Sequence, residues 1–148
     1  MDSNLYQAIN QLLSDLTVAQ RDIQILHWNI KTTSFIYLHE YLGEVYNTLL
    51  EYIDIAAEQI RFQDAYPKAT LTETISETRI KEVQSSHPYS FDEAVQITLS
   101  LIDYLKKLTD QIITYADDHQ QWDVVDTFSA QSAHYAKILY FLKNSLTY

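Results

Sequence analysis

Apolar residues recur along this chain at intervals of three and four, in long runs separated by short polar breaks. In the first run Leu5, Ala8, Ile9, Leu12, Leu13, Leu16, Ala19, Ile23 and Leu26 form one stripe. It predicts a helix over about residues 4–31, with Asp2 or Ser3 as its cap. Thr32-Thr33-Ser34 is a polar break, and Ser34 is placed to cap a second helix over about residues 35–63. Pro67 stops that helix. A short helix is expected within 71–80, capped by Thr70 or Thr72, with Ile75 and Ile80 as apolar contacts. His87-Pro88 breaks the chain again, and Ser90-Phe91-Asp92-Glu93 reads as a capping box. A third long helix then runs to about Asp118 through Ala94, Val95, Ile97, Leu101, Ile102, Leu105, Leu108 and Ile112. Asp123 is the expected cap of the fourth, which ends near Ser145, and Asp126 lies in its first turn, where the helix dipole favours an anion. The pattern is that of an all-α four-helix bundle with a short extra helix between the second and third long helices.

Composition supports this and narrows it. The chain has 148 residues, enough for one domain, with one Gly and two Pro, too few for hairpins and tight turns. It has no Cys, so disulfides and thiolate metal sites are excluded. No stretch approaches the roughly 20 apolar residues that span a bilayer. The start, MDSNLYQAINQLL, has no basic segment or small-residue cleavage site, so a cytoplasmic protein with no membrane partner is expected.

Twenty acidic against ten basic residues give a formal charge of −10. Binding to nucleic acid relies on Lys and Arg neutralising phosphates, so DNA is a disfavoured partner. No basic tail compensates: the first basic residue is Arg21, and the last few residues offer only Lys143 before Tyr148. Most of the acidity serves solubility. Between Leu108 and Ala136, however, five Asp and no Lys or Arg produce a local negative field.

The candidate chemistry lies between His27 and Arg61. His27 and His39 are twelve residues apart, and Asp54 and Glu58 form an i, i+4 pair on one helical face. Positions 39, 43, 54 and 58 fall within a stripe about 100° wide on the second helix. Yet His39 and Asp54 are separated by about 22 Å of helix at 1.5 Å per residue, too far to share an ion within one chain. Pairing this helix antiparallel with its own copy, about a two-fold axis between Thr48 and Leu49, removes the difficulty. His39 of one chain then faces Glu58 of the other, and position 43 faces Asp54. Imidazoles with carboxylates suit iron, and also zinc, cobalt or manganese. The Glu-x-x-His signature of ordinary ferritins is absent.

His27-Trp28-Asn29-x-Lys31, Phe35, Leu38-His39, Tyr46, Asp54, Ala57-Glu58 and Arg61 together resemble the Dps family of mini-ferritins. The likeness continues more weakly through Pro67-x-x-Thr70-Leu71 and the helical C-terminal half. It implies a homo-oligomeric cage, a dodecamer built on two-fold dimers, that binds Fe(II), oxidises it, preferably with peroxide, and stores the ferric product against oxidative stress. It implies a ferroxidase centre of His27 and His39 from one subunit with Asp54 and Glu58 from its mate. It also implies that Asp123 and Asp126 line three-fold pores, where they would bind and steer cations; helix capping is the competing role for Asp123. Trp28 is either core packing or, on the family pattern, an oxidisable neighbour of the centre. One departure stands out: the family usually carries Asp where this chain has Gly43. The alternatives are a non-enzymatic cage binding zinc or another divalent ion at the same residues and, less favoured by charge, a DNA compactor.

Overall fold

The computed structural model describes residues 1–146; Tyr148, to which the reading that no basic tail is present extends, lies outside the described residues. Five helices appear in the order α1 (Ser3–Asn29), α2 (Phe35–Phe62), α3 (Leu71–Glu77), α4 (Phe91–Asp118) and α5 (Trp122–Lys143). This is the expected all-α bundle, with the short α3 lying between the second and third long helices. α1 packs along α2, α4 along α5, and α1 also meets α4, whereas α2 and α5 touch only slightly.

The stripe of α1 became the central wall of the core: Leu5, Ile9, Leu12, Leu16, Ile23 and Leu26 are all buried. Each such side chain removed from water contributes about 1.5–3 kcal/mol. α1 is buried on more than this stripe because α2, α4 and α3 all lie against it. Its polar residues at core positions therefore need partners. Asp15, fully buried, accepts hydrogen bonds from Thr78 Oγ1 (2.8 Å), the Arg79 amide (2.8 Å), Tyr104 Oη (2.7 Å) and Gln11 Nε2 (3.1 Å). One carboxylate thus ties the segment after α3 to α1 and α4.

The caps follow the sequence in part. Asp2 accepts from the Leu5 amide and caps α1. Thr70 and Glu73 form a complete reciprocal capping box at α3. At α4 Ser90 accepts from the Glu93 amide, while the Glu93 carboxylate reaches His87 Nε2 at 2.9 Å. Ser34 occupies the cap position of α2 but makes no side-chain cap bond. Asp123 is not the cap of α5: the helix begins two residues earlier than such a cap implies, at Trp122, so Gln121 takes the cap position and Asp123 stands in the first turn.

The helix ends reveal where glycine is missing. α2 and α4 both close in Schellman motifs, with the Ala65 amide bonded to the Ile60 carbonyl (3.3 Å) and the Gln121 amide to the Ala116 carbonyl (2.9 Å). The left-handed residues in these motifs are Asp64 (φ 59°) and Gln120 (φ 58°), where glycine is the usual choice. The chain's single glycine sits instead in the middle of α2, where it costs about 1 kcal/mol relative to alanine.

Candidate metal centre

The break at residues 30–34 turns the chain back, so the last turn of α1 lies beside the first turns of α2. This brings His27 and His39 together. Their rings stack with centroids 3.7 Å apart and planes 15° from parallel. Phe35 stacks on His39 at 5.0 Å, and the edge of Tyr46 meets His27 at 5.1 Å.

The two histidines bond reciprocally through the backbone. His27 Nδ1 lies 2.6 Å from the His39 carbonyl, and His39 Nδ1 lies 2.8 Å from the His27 carbonyl. A carbonyl only accepts, so both Nδ1 atoms carry hydrogen, and in the neutral rings both Nε2 atoms are left with lone pairs. The His27 carbonyl is available for this because the Lys31 amide, which would take it in a continuing helix, donates to Tyr89 O at 2.8 Å. The segment around residues 83–90 holds that helix end in place: Tyr89 N bonds Asn29 O (3.1 Å), and Asn29 Nδ2 bonds Ser85 O (2.8 Å).

Partial burial holds the His27 pKa below the ordinary histidine value; the bond to the His39 backbone opposes this, and the neighbouring His39 ring reinforces it. The net effect favours the neutral imidazole, the form that binds metal.

Asp54 and Glu58 lie farther along α2, both exposed, on one face. Among the described residues no three His, Cys, Asp or Glu side chains come together in one chain. A single subunit assembles the two imidazoles and leaves the two carboxylates elsewhere on the same helix. Asp123 and Asp126 are exposed near the start of α5. Trp28 is 54% exposed, so it is not part of the core of this chain.

Two features escaped the sequence reading. The flanking Phe35 and Tyr46 were only part of a motif, with no indication that they would frame the imidazoles. Asp15 and Asp22 sit at helical spacing from Leu12, Ala19 and Leu26, and this placement of acids on an apolar stripe was the available signal of buried carboxylates.

A long-helix bundle with a short helix after the second long one defines a ferritin-like domain, and the family model for that domain matches residues 6–147. Within it the chain belongs to the Dps family. It is 30% identical over 124 residues to the DNA protection during starvation protein of Helicobacter pylori, covering 76% of this chain and 86% of that one. It is 29% identical over 112 residues to general stress protein 20U of Bacillus subtilis, covering 76% of this chain and 74% of the relative. Among solved structures, the Dps of Staphylococcus aureus superposes with a TM-score of 0.91 at 25% identity, covering 99% of this chain and 97% of that one. Among the described residues no helix is long and apolar enough to cross a membrane.

Proposed function

We propose that this chain is a mini-ferritin subunit that takes Fe(II) as its substrate at centres shared between two copies, and that the assembled cage stores the ferric product. The observation that carries this reading is the reciprocal bonding of His27 and His39, which leaves each Nε2 as the only basic ring nitrogen. A hydrogen bond from Nδ1–H to a carbonyl is how protein imidazoles are commonly oriented toward a metal. Membership of the Dps family supports iron as the metal, and the antiparallel pairing of α2 supplies the carboxylates of Asp54 and Glu58 from the mate. Two Fe(II) ions lose one electron each, and one hydrogen peroxide molecule takes up these two electrons and two protons from solvent to give two water molecules.

In this mechanism the protein supplies ligands and orientation. His27 and His39 would bind through Nε2, while their Nδ1–H groups keep donating to the two carbonyls throughout. Asp54 and Glu58 of the mate neutralise the charge of the cations. Exposed Asp123 and Asp126 raise the local cation concentration near the start of α5.

Subunit mixing tests the sharing of the centre. A chain carrying His27→Gln and His39→Gln and a chain carrying Asp54→Asn and Glu58→Gln should each fail to oxidise Fe(II) with peroxide. In a hybrid dimer one of the two centres regains all four native side chains. Co-assembled protein should therefore recover a substantial part of the native rate. Absence of recovery in hybrids verified by mass would refute the shared centre.

A zinc-binding role at the same residues is the second reading. It is favoured by the pairing of two imidazoles in a chain that lacks the usual third carboxylate at position 43. Binding of Zn(II) with no peroxide-dependent oxidation of Fe(II) would select it.

A further inference from the structure

Two carboxylates are buried on α1, and their surroundings treat them differently. Asp15 accepts four hydrogen bonds and is fully engaged in holding the fold together. Asp22, two helical turns further on and 1% exposed, accepts one, from the Val83 amide at 3.1 Å. Its Oδ2 has no partner. Leaving one oxygen of a buried carboxylate unbonded is costly, and the metal centre makes no use of this residue.

Asp22 lines a cavity of about 380 Å³ between α1, the segment of residues 79–83 and α4. The walls are largely apolar, with Ile80 and Val83 from the segment and Ile97 and Leu101 from α4. Arg79 and Lys81 line it as well, and both are exposed. Among the described residues neither is in an ion pair. The segment runs along α1, with the Arg79 amide held by Asp15 and the Val83 amide by Asp22. Those two anchors are about 10 Å apart at 1.5 Å per residue. The Arg79 side chain lies beside the Tyr104 hydroxyl, which itself bonds Asp15, so the guanidinium stands at the end away from Asp22.

The cavity therefore has an underbonded anion at one end, apolar walls, and unpaired cations toward the other. We propose that it is a binding site for a short amphoteric chain, an ω-amino carboxylate. The ammonium donates to Asp22 Oδ2, supplying the bond that this oxygen lacks. A stem of about five carbons, roughly 1.5 Å per bond, lies along Ile97 and Leu101. The carboxylate accepts from Arg79 and Lys81. The volume is that of a small-molecule site. Simpler ligands fit the charges less well. An amine without the carboxylate is repelled by Arg79 and Lys81, and a carboxylate without the amine meets the charge of Asp22. An α-amino acid holds its two charges side by side, too close to serve both ends.

Calorimetric titration of the assembled protein near neutral pH tests this with four probes: ε-aminocaproate, hexylamine, hexanoate and norleucine. The first should bind once per chain. The other three each lack or misplace one charged group, so each should bind at least about tenfold more weakly, the scale of a charge-assisted hydrogen bond. Asp22→Asn keeps an acceptor for Val83 and should weaken ε-aminocaproate to the level of hexanoate. Arg79→Gln combined with Lys81→Gln should weaken it to the level of hexylamine. Thermal melting of each variant checks that the fold is kept.

Three results overturn the proposal. One is the absence of saturable binding of ε-aminocaproate to the native protein, which needs no variant to fold. Another is native affinity in folded Asp22→Asn, as expected if Asp22 serves only to hold Val83. The third is hexylamine, hexanoate or norleucine binding as tightly as ε-aminocaproate, which would remove the need for charges at both ends.

Discussion

Replacing Asp22 by Asn should stabilise the protein at neutral pH and give no gain in acid. Asp22 is buried on α1, where one carboxylate oxygen accepts from the Val83 amide at 3.1 Å and the other, Oδ2, has no partner. Burial raises its pKa from 3.8 to about 6; the Val83 bond opposes the rise and the charge of Glu82 adds to it. The folded protein therefore holds this proton up to about pH 6, while the unfolded chain releases it near 3.8. Between those values the folded state binds more protons, so stability falls as pH rises through the window and is level above it. At about 1.36 kcal/mol for each pH unit, the full penalty above pH 7 is at most about 3 kcal/mol. Asparagine keeps the acceptor for Val83 and removes the charge. Its amide brings two N–H donors where the protonated acid has one O–H, so near pH 3.5 the variant should be no more stable than the native chain. Above pH 7 the variant should be more stable by about 2–3 kcal/mol, or about 5–10 °C in melting temperature for a domain of this size. The assay is thermal melting of both proteins from pH 3.5 to 8 at one protein concentration, since assembly contributes to stability. A gap that is the same at both ends of the range, or a variant less stable at pH 8, would refute the electrostatic account.

Gln120→Gly should raise stability by about 0.5–1 kcal/mol, because the left-handed residue after α4 then loses its side-chain strain; a drop in the urea midpoint would show that Gln120 makes a compensating contact. A cage of twelve chains, each of 17.3 kDa, should scatter light as a particle of about twelve times that mass, and a monomer at micromolar concentration would exclude a shared centre. Each chain adds a formal −10, so the assembled protein should not retard plasmid DNA in a gel at neutral pH and physiological salt without bridging metal. Tight binding under those conditions would mean that charge distribution outweighs net charge.

The sequence by itself determined the helices, because the spacing that defines them is local. Leu5, Ile9, Leu12 and Leu16 repeat within one turn of each other, and Pro67 and Ser90 act on their immediate neighbours, so the element order and the all-α class were legible before any packing was known. The motif also marked His27, His39, Asp54 and Glu58 as residues to follow. What only the tertiary structure decided is how these side chains meet their surroundings. The exchange of Nδ1 hydrogen bonds between His27 and His39 depends on the distance between α1 and α2 and on the Lys31 amide turning to Tyr89, neither of which is written in spacing. Gly43 read as an absent ligand in the pattern, and packing brings His27 Cε1 to 3.3 Å from where its Cβ would stand. Asp123 looked like a cap, but α5 starts two residues earlier than that, and of the two roles read for Trp28, core packing and a neighbour of the centre, its half-exposed position excludes the first. The carboxylates of Asp54 and Glu58 remain exposed on α2, about 22 and 28 Å of helix from His39. Local periodicity can put a residue on a face, but what that face touches is set by helices far away in the chain.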